Sequence, residues 1–192
     1  MAEPTVRFRT FPITVTVEEL DTPAERLAAI AGQSVISTGE GNELDFGTVD
    51  ISGGAANSTV KMLVWDITAD GGNTLVEDFL FWVSSIGFDQ AGTVVKYQPI
   101  SGDDQGSPSL TENYIVNAVV GSYTWGTLDE SEPGAQNVYP SDEGSSMVLN
   151  TTADDVIMIA LYIAVADNET TGTYKGTDTD YELQFSFMYS FS

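Results

Sequence analysis

Twelve consecutive residues, Asp66 to Glu77 (DITADGGNTLVE), carry oxygen side chains at positions 1, 3, 5, 9 and 12, with Gly71 at position 6. Calcium takes about six to eight hard oxygen ligands, and an EF-hand-type loop presents them in this order. Asp66, Asp70 and Glu77 are the candidate carboxylate ligands, and calcium is the one cofactor to which the residues point. Two features oppose that chemistry. Asn73 stands at position 8, where such loops carry an apolar residue, and the flanks VKMLVW and DFLFWV read as strands where an EF-hand needs helices. The competing reading is a β-hairpin that turns on Asp70-Gly71-Gly72-Asn73, the residue types of tight turns.

Asp103-Asp104, Asp154-Asp155 and Asp178-Thr179-Asp180 are further acid clusters. Each would suit a hard cation if loops from two subunits converged, and each is otherwise a solvated acidic loop. The chain has no histidine and no cysteine, so the commonest acid–base residue, thiolate metal sites and disulfides are all excluded. Paired carboxylates and Ser/Lys arrangements are the catalytic options left. With 29 acidic residues some pair falls at a workable separation by chance. No phosphate loop, nucleophile elbow or metalloprotease motif is present. The chain therefore reads as non-enzymatic. Trp65, Trp82 and Trp125, with Tyr97, Tyr114, Tyr123, Tyr139 and Tyr162, would make either a sugar-stacking surface or, as in most strand-rich domains, core and interface.

A formal charge of -23 rests on those acids against three lysines (Lys61, Lys96, Lys175) and three arginines (Arg7, Arg9, Arg26). That balance repels nucleic acid and anionic membrane surfaces. It fits a highly solvated exterior, a salty environment or a cation-binding surface. At 42% hydrophobic residues the chain still has enough apolar material for a sizeable core. No apolar run approaches the roughly 20 residues of a membrane-spanning helix. The opening MAEPTVRFRT lacks a signal-peptide apolar core, so two readings stand: a chain that is not exported, or one numbered from after processing.

The elements that must carry these residues are mostly strands. The closing stretch Tyr181 to Ser192 (YELQFSFMYSFS) puts Tyr181, Leu183, Phe185, Phe187, Tyr189 and Phe191 on odd positions, one aromatic face of a strand that needs a second layer. Phe11 to Val17 alternates as a strand. Thr22-Pro23-Ala24-Glu25 matches a capping box with proline at the first helical position, which predicts one short helix over about 22–31. Further strands are expected over Ser34–Ser37, Glu43–Ile51, Ser58–Thr68, Val76–Ser84, Thr93–Pro99, Tyr114–Val120, Ser146–Asn150 and Val156–Ala166, with Gly, Asn and Asp at the joints. The runs Phe79–Val83 and Val156–Val165 are apolar on both faces. They need cover from a helix or loop, or from neighbouring subunits, which makes Phe79, Phe81, Val156, Met158 and Tyr162 candidate interface residues.

Leu44-Asp-Phe-Gly-Thr-Val49 followed by Ser58-Thr-Val-Lys-Met-Leu-Val64 resembles the opening strands of immunoglobulin-like sandwich modules, and Thr171-Gly-Thr-Tyr-Lys-Gly176 is similar to their closing hairpin. Such modules occur in virion structural proteins, surface proteins and filament subunits. The resemblance covers about a quarter of the chain and implies a structural or adhesive role with no catalytic residue. The expectation is an all-β chain: an immunoglobulin-like or jelly-roll β-sandwich with one short N-terminal helix, residues 1–192 forming a single domain and residues about 6–31 an extension or arm. The expected function is a self-assembling structural subunit of a virion (capsid decoration, head-fibre or tail-associated), located in the virion. The missing signal sequence favours assembly inside a host cell. Its partners would be copies of itself and neighbouring virion proteins, with no nucleic acid and no membrane span. The alternatives are a secreted, extracellular or cell-surface filament subunit in which Val6 to Val17 inserts into the next subunit's sheet, and a carbohydrate-binding or adhesin module.

Overall fold

The computed structural model describes residues 2–3, 5–11, 35–36, 44–69, 71–73, 75–100, 125–128, 148–150, 157–174 and 183–191. The helix expected over about 22–31 and the strand expected over 114–120 lie outside the described residues, as does the strand expected over 11–17 apart from Phe11. Those described form ten strands and no helix: β1 (Thr5–Phe11), β2 (Val35–Ile36), β3 (Ala56–Asn57), β4 (Lys61–Ala69), β5 (Leu75–Ile86), β6 (Val94–Ile100), β7 (Gly126–Leu128), β8 (Val148–Asn150), β9 (Ile157–Val165) and β10 (Leu183–Phe191). All pairings between them are antiparallel. One sheet runs β2-β1-β4-β9-β6-β7, with β3 also on β9, and the other runs β10-β5-β8.

The two sheets share one apolar cluster. Leu63, Val95, Leu128, Ile159, Leu161 and Ile163 come from the seven-stranded sheet, Phe81 and Val83 from the three-stranded one, and Phe46 from the segment before β3. Aromatic rings bridge the layers. Phe81 stacks on Phe185 at 5.4 Å and 10°, and Phe8 of β1 meets Phe187 of β10 edge-on at 4.8 Å.

β9 is the innermost strand. It pairs with β3 and β4 along one edge and with β6 along the other. Ile159, Leu161 and Ile163 face the shared core, while Ala160 and Tyr162, on the opposite face, are also buried. Cover on both faces within one chain is what the uninterrupted apolar run of β9 requires. Between β3 and β4 the ladder lapses, and Ser58 repairs it. The Ser58 N–H donates to the Ile163 carbonyl at 2.9 Å, and the Ile163 N–H donates to Ser58 Oγ at 2.8 Å.

Three expectations are corrected by the fold. First, 44–50 is not a strand, although Leu44, Phe46 and Val49 still turn inward. The Asp45 carboxylate accepts the Gly47 N–H at 2.7 Å and the Asp50 carboxylate accepts the Ser52 N–H at 2.9 Å. These local side-chain bonds compete with a sheet ladder. Second, 70–73 is not a hairpin turn. Gly71 and Gly72 have positive φ (64° and 84°), as a tight turn needs, but β4 and β5 enter different sheets. Both edges of β4 are already taken, by β1 and β9, so none is left for β5. Third, the aromatic face of β10 is only partly inside. Leu183 and Phe185 pack on the core, whereas Phe187 is 38% and Phe191 40% exposed.

β5 explains its own mixed pattern. Opposite an unbroken β10 it carries two extra residues, one between Val83 and Ser85 and one between Glu77 and Leu80. A bulge of one residue shifts the side-chain alternation by one. Such a strand cannot read as a simple period of two.

Substitution costs should follow this placement. Phe81→Ala, at 1% exposure, should cost about 3–5 kcal/mol, and Phe187→Ala distinctly less. Ser58→Ala strands a buried N–H and should cost about 1–3 kcal/mol. Denaturant melts of the three variants measure this order, and equal costs for Phe81→Ala and Phe187→Ala would contradict it.

Candidate functional site

Two of the three candidate calcium ligands, Asp66 and Glu77, lie on strands of different sheets. Asp66 lies within β4, opposite Arg7 of β1, and Glu77 lies within β5, opposite Val148 of β8 and Ser190 of β10. Asp70 lies outside the described residues. The flanks are strands of two different sheets. Among the described residues no group of three or more His, Cys, Asp or Glu is placed to hold a metal ion. The turn itself is occupied by the chain: the Ala2 N–H donates to the Gly71 carbonyl at 2.9 Å, and Asn73 Nδ2 donates to the Ala2 carbonyl at 2.6 Å. The acid clusters at 103–104, 154–155 and 178–180 lie outside the described residues.

Of the candidate interface residues, Phe81 and Tyr162 are buried within the single chain, at 1% and 6% exposure. Met158 sits in β9 opposite Val64 and Ile100, and Phe79 sits in β5. Val156 lies outside the described residues. Tyr162 meets Trp125 edge-on at 4.8 Å, and burial pushes its hydroxyl pKa up. Among the described residues the buried indole N–H of Trp125 has no hydrogen-bond partner. A ring held edge-on with its N–H enclosed makes a poor platform for a wet sugar.

The best-defined polar constellation is one that the acid clusters did not signal. Glu169, 7% exposed, follows β9 and faces the turn between β5 and β6. Its Oε1 accepts the Asp89 N–H at 2.9 Å, the Thr170 N–H at 3.2 Å and the Tyr174 hydroxyl at 2.8 Å, and its Oε2 accepts the Gln90 N–H at 3.2 Å. The Thr93 hydroxyl is a fifth donor, and its oxygen accepts the Ala166 N–H at 3.0 Å. Around this centre Asn168 Nδ2 donates to Gln90 Oε1 at 2.8 Å and the Thr170 hydroxyl donates to Asp89. The Tyr174 hydroxyl also reaches the Thr170 carbonyl at 2.9 Å, and its ring lies 5.3 Å from Phe88.

Burial alone would raise the Glu169 pKa. The hydrogen bonds from Thr93, Asp89, Tyr174 and Gln90 together outweigh it and hold the carboxyl below its ordinary value. A carboxylate offers about four lone-pair sites, and the chain's own donors converge on them, so Glu169 works as a corner clamp. Sequence spacing could not have singled it out, because Thr170 and Tyr174 are local but Asp89, Gln90 and Thr93 lie far upstream.

The other distinctive surface is the rim at β10. Its nine residues, LQFSFMYSF, contain no charge and no proline, and among the described residues β10 pairs along one edge only, with β5. No known protein family matches the chain, and no curated protein matches it.

The clamp predicts an acid-labile corner. Because the folded pKa lies below the ordinary 4.5, Glu169 stabilises the fold fully above about that pH, and the contribution is lost as pH falls through the folded pKa. Glu169→Gln should cost about 1–3 kcal/mol near neutrality, since an amide nitrogen would face N–H donors. The gap between wild type and variant, from denaturant melts at falling pH, should narrow below pH 4.5; a gap unchanged down to the lowest pH would exclude the clamp.

Proposed function

We propose that this chain is a self-assembling, non-enzymatic structural subunit of a virion, of the capsid-decoration, head-fibre or tail-associated kind. The observation that carries self-assembly is the charge-free β10 rim on a chain of -23. Edge strands of solitary proteins are usually blunted by lysine, proline or bulges. β10 has none of these: the register shifts along it are taken up by β5, and two of its aromatic residues are 38% and 40% exposed. Like-charged copies can approach closely only where charge is absent, and β10 supplies such a place.

Within this reading the fold is a β-sandwich of the immunoglobulin-like or jelly-roll kind. Two antiparallel sheets over one cluster support it, as does the change of sheet between β4 and β5 and again between β9 and β10. The Tyr174 hydroxyl bonds to a carbonyl four residues upstream, as in the tyrosine corner of immunoglobulin-like domains. Placement in a virion rests on the resemblance of the LDFGTV and TGTYKG segments to modules of such proteins. A secreted filament subunit is the second reading, favoured by the self-contained contacts of β1.

Sedimentation velocity from micromolar to millimolar protein, at low and molar salt, tests the self-assembly. Association should grow with concentration and with salt, because screening removes repulsion between acidic copies. A monomer under every condition would rule out the assembly role.

A further inference from the structure

We propose that β1 is exchangeable between copies: residues 2–11 of one subunit occupy, on its neighbour, the place that the neighbour's own β1 fills in the structure. This rests on the self-assembly reading above and names its route. The acceptor site is defined by its present occupant. β4 pairs with all seven residues of β1, from Thr5 opposite Ala69 to Phe11 opposite Met62. At one end the Ala2 N–H and carbonyl are held by Gly71 and Asn73. A Cβ at Gly71 would stand 2.3 Å from the Ala2 carbonyl oxygen, so the turn accepts the incoming backbone because it is glycine. In the middle Phe8 reaches across to the other sheet, 6.1 Å from the Phe81 ring and 4.8 Å from that of Phe187. Backbone pairing supplies affinity and an anchoring side chain supplies register, which is how an added strand binds a sheet.

Charge singles out β1 as the connector. Its sequence TVRFRTF contains two of the chain's three arginines and no acid. With Glu3 included, residues 2–11 carry +1, and setting this apart from the chain's -23 leaves -24 on the remainder. Whole copies repel, whereas β1 is attracted to the body of any copy, its own or a neighbour's. Phe187 belongs to β10, so an arriving β1 lands beside the charge-free rim and makes the two surfaces continuous. A strand edge alone covers less than the ~1,200 Å² of a stable interface. Exchange adds a complete ladder without any new kind of contact. The resident β1 acts at an effective concentration of roughly millimolar, so exchange takes over as protein approaches that range, as it does in a packed assembly.

The absence of cysteine makes the test direct. Thr5→Cys and Ala69→Cys in one chain place two thiols on paired residues beside the β1–β4 bulge, and a disulfide between them locks β1 at home. Wild type and the double variant, oxidised and reduced, are refolded at about 1 mM, checked by circular dichroism and compared by sedimentation velocity. The oxidised variant should assemble at least tenfold less, and reduction followed by refolding should restore assembly. In parallel, mass-tagged single variants refolded together should form a disulfide heterodimer joining Cys at 5 to Cys at 69. Equal assembly of locked and unlocked chains, or no heterodimer, overturns exchange and leaves self-assembly standing. A wild type that stays monomeric in the same experiment removes the self-assembly reading itself.

Discussion

β9 is enclosed on every side, and that enclosure constrains the rest of the described structure. Both edges are paired and both faces are buried around Ile159–Ile163. A strand in that position must bond every backbone group to its neighbours, since no water reaches them. β4 and β6 must therefore match it in register over most of its length. Where β3 has ended and β4 has not begun, the Ser58 hydroxyl takes over as the Ile163 acceptor. The same enclosure forbids charge, and IMIALYIAV contains none.

Excluding charge from the centre moves it to the joints. Among the described acids Glu3, Asp45, Asp50, Asp89 and Asp167 are exposed, and the short side-chain bonds of Asp45 and Asp50 show how they also shape the backbone beside them. The Asp50 carboxyl is held below its usual range by the Ser52 N–H and hydroxyl. Glu169 is the exception that is drawn inward. Its negative charge is balanced by N–H and O–H groups of the corner itself, which ties the β5–β6 turn to the exit of β9. A charge held by dipoles stays bound only while those dipoles keep their geometry, so the carboxylate and its donors hold the corner together.

The two sheets depend on each other through few large side chains. Phe8, Phe81, Phe185 and Phe187 form a continuous ring path from β1 to β10, running from enclosed to exposed. The interior end of this path supplies cohesion and the outer end supplies a surface without charge.

Composition and periodicity alone determined that the described chain is all-β, because apolar residues recur at strand spacing and turn residues punctuate them. β4, β5, β6, β9 and β10 fall close to where alternation or apolar runs put them. β1 is expected as a strand only in the strand-donation alternative, although Val6 and Phe8 alternate with Arg7 and Arg9; Arg9 is itself buried. The strand expected over 43–51 dissolved into local side-chain bonds whose strength relative to a ladder is invisible in spacing. The Glu169 corner joins residues far apart in the chain, and the placement of Asp66 and Glu77 in different sheets follows from β4 having both edges occupied. Sequence records which groups can pair. Only the tertiary structure decided which of them do, because each strand has two edges and each carboxylate about four lone-pair sites, and whichever partner reaches them first in space excludes the rest.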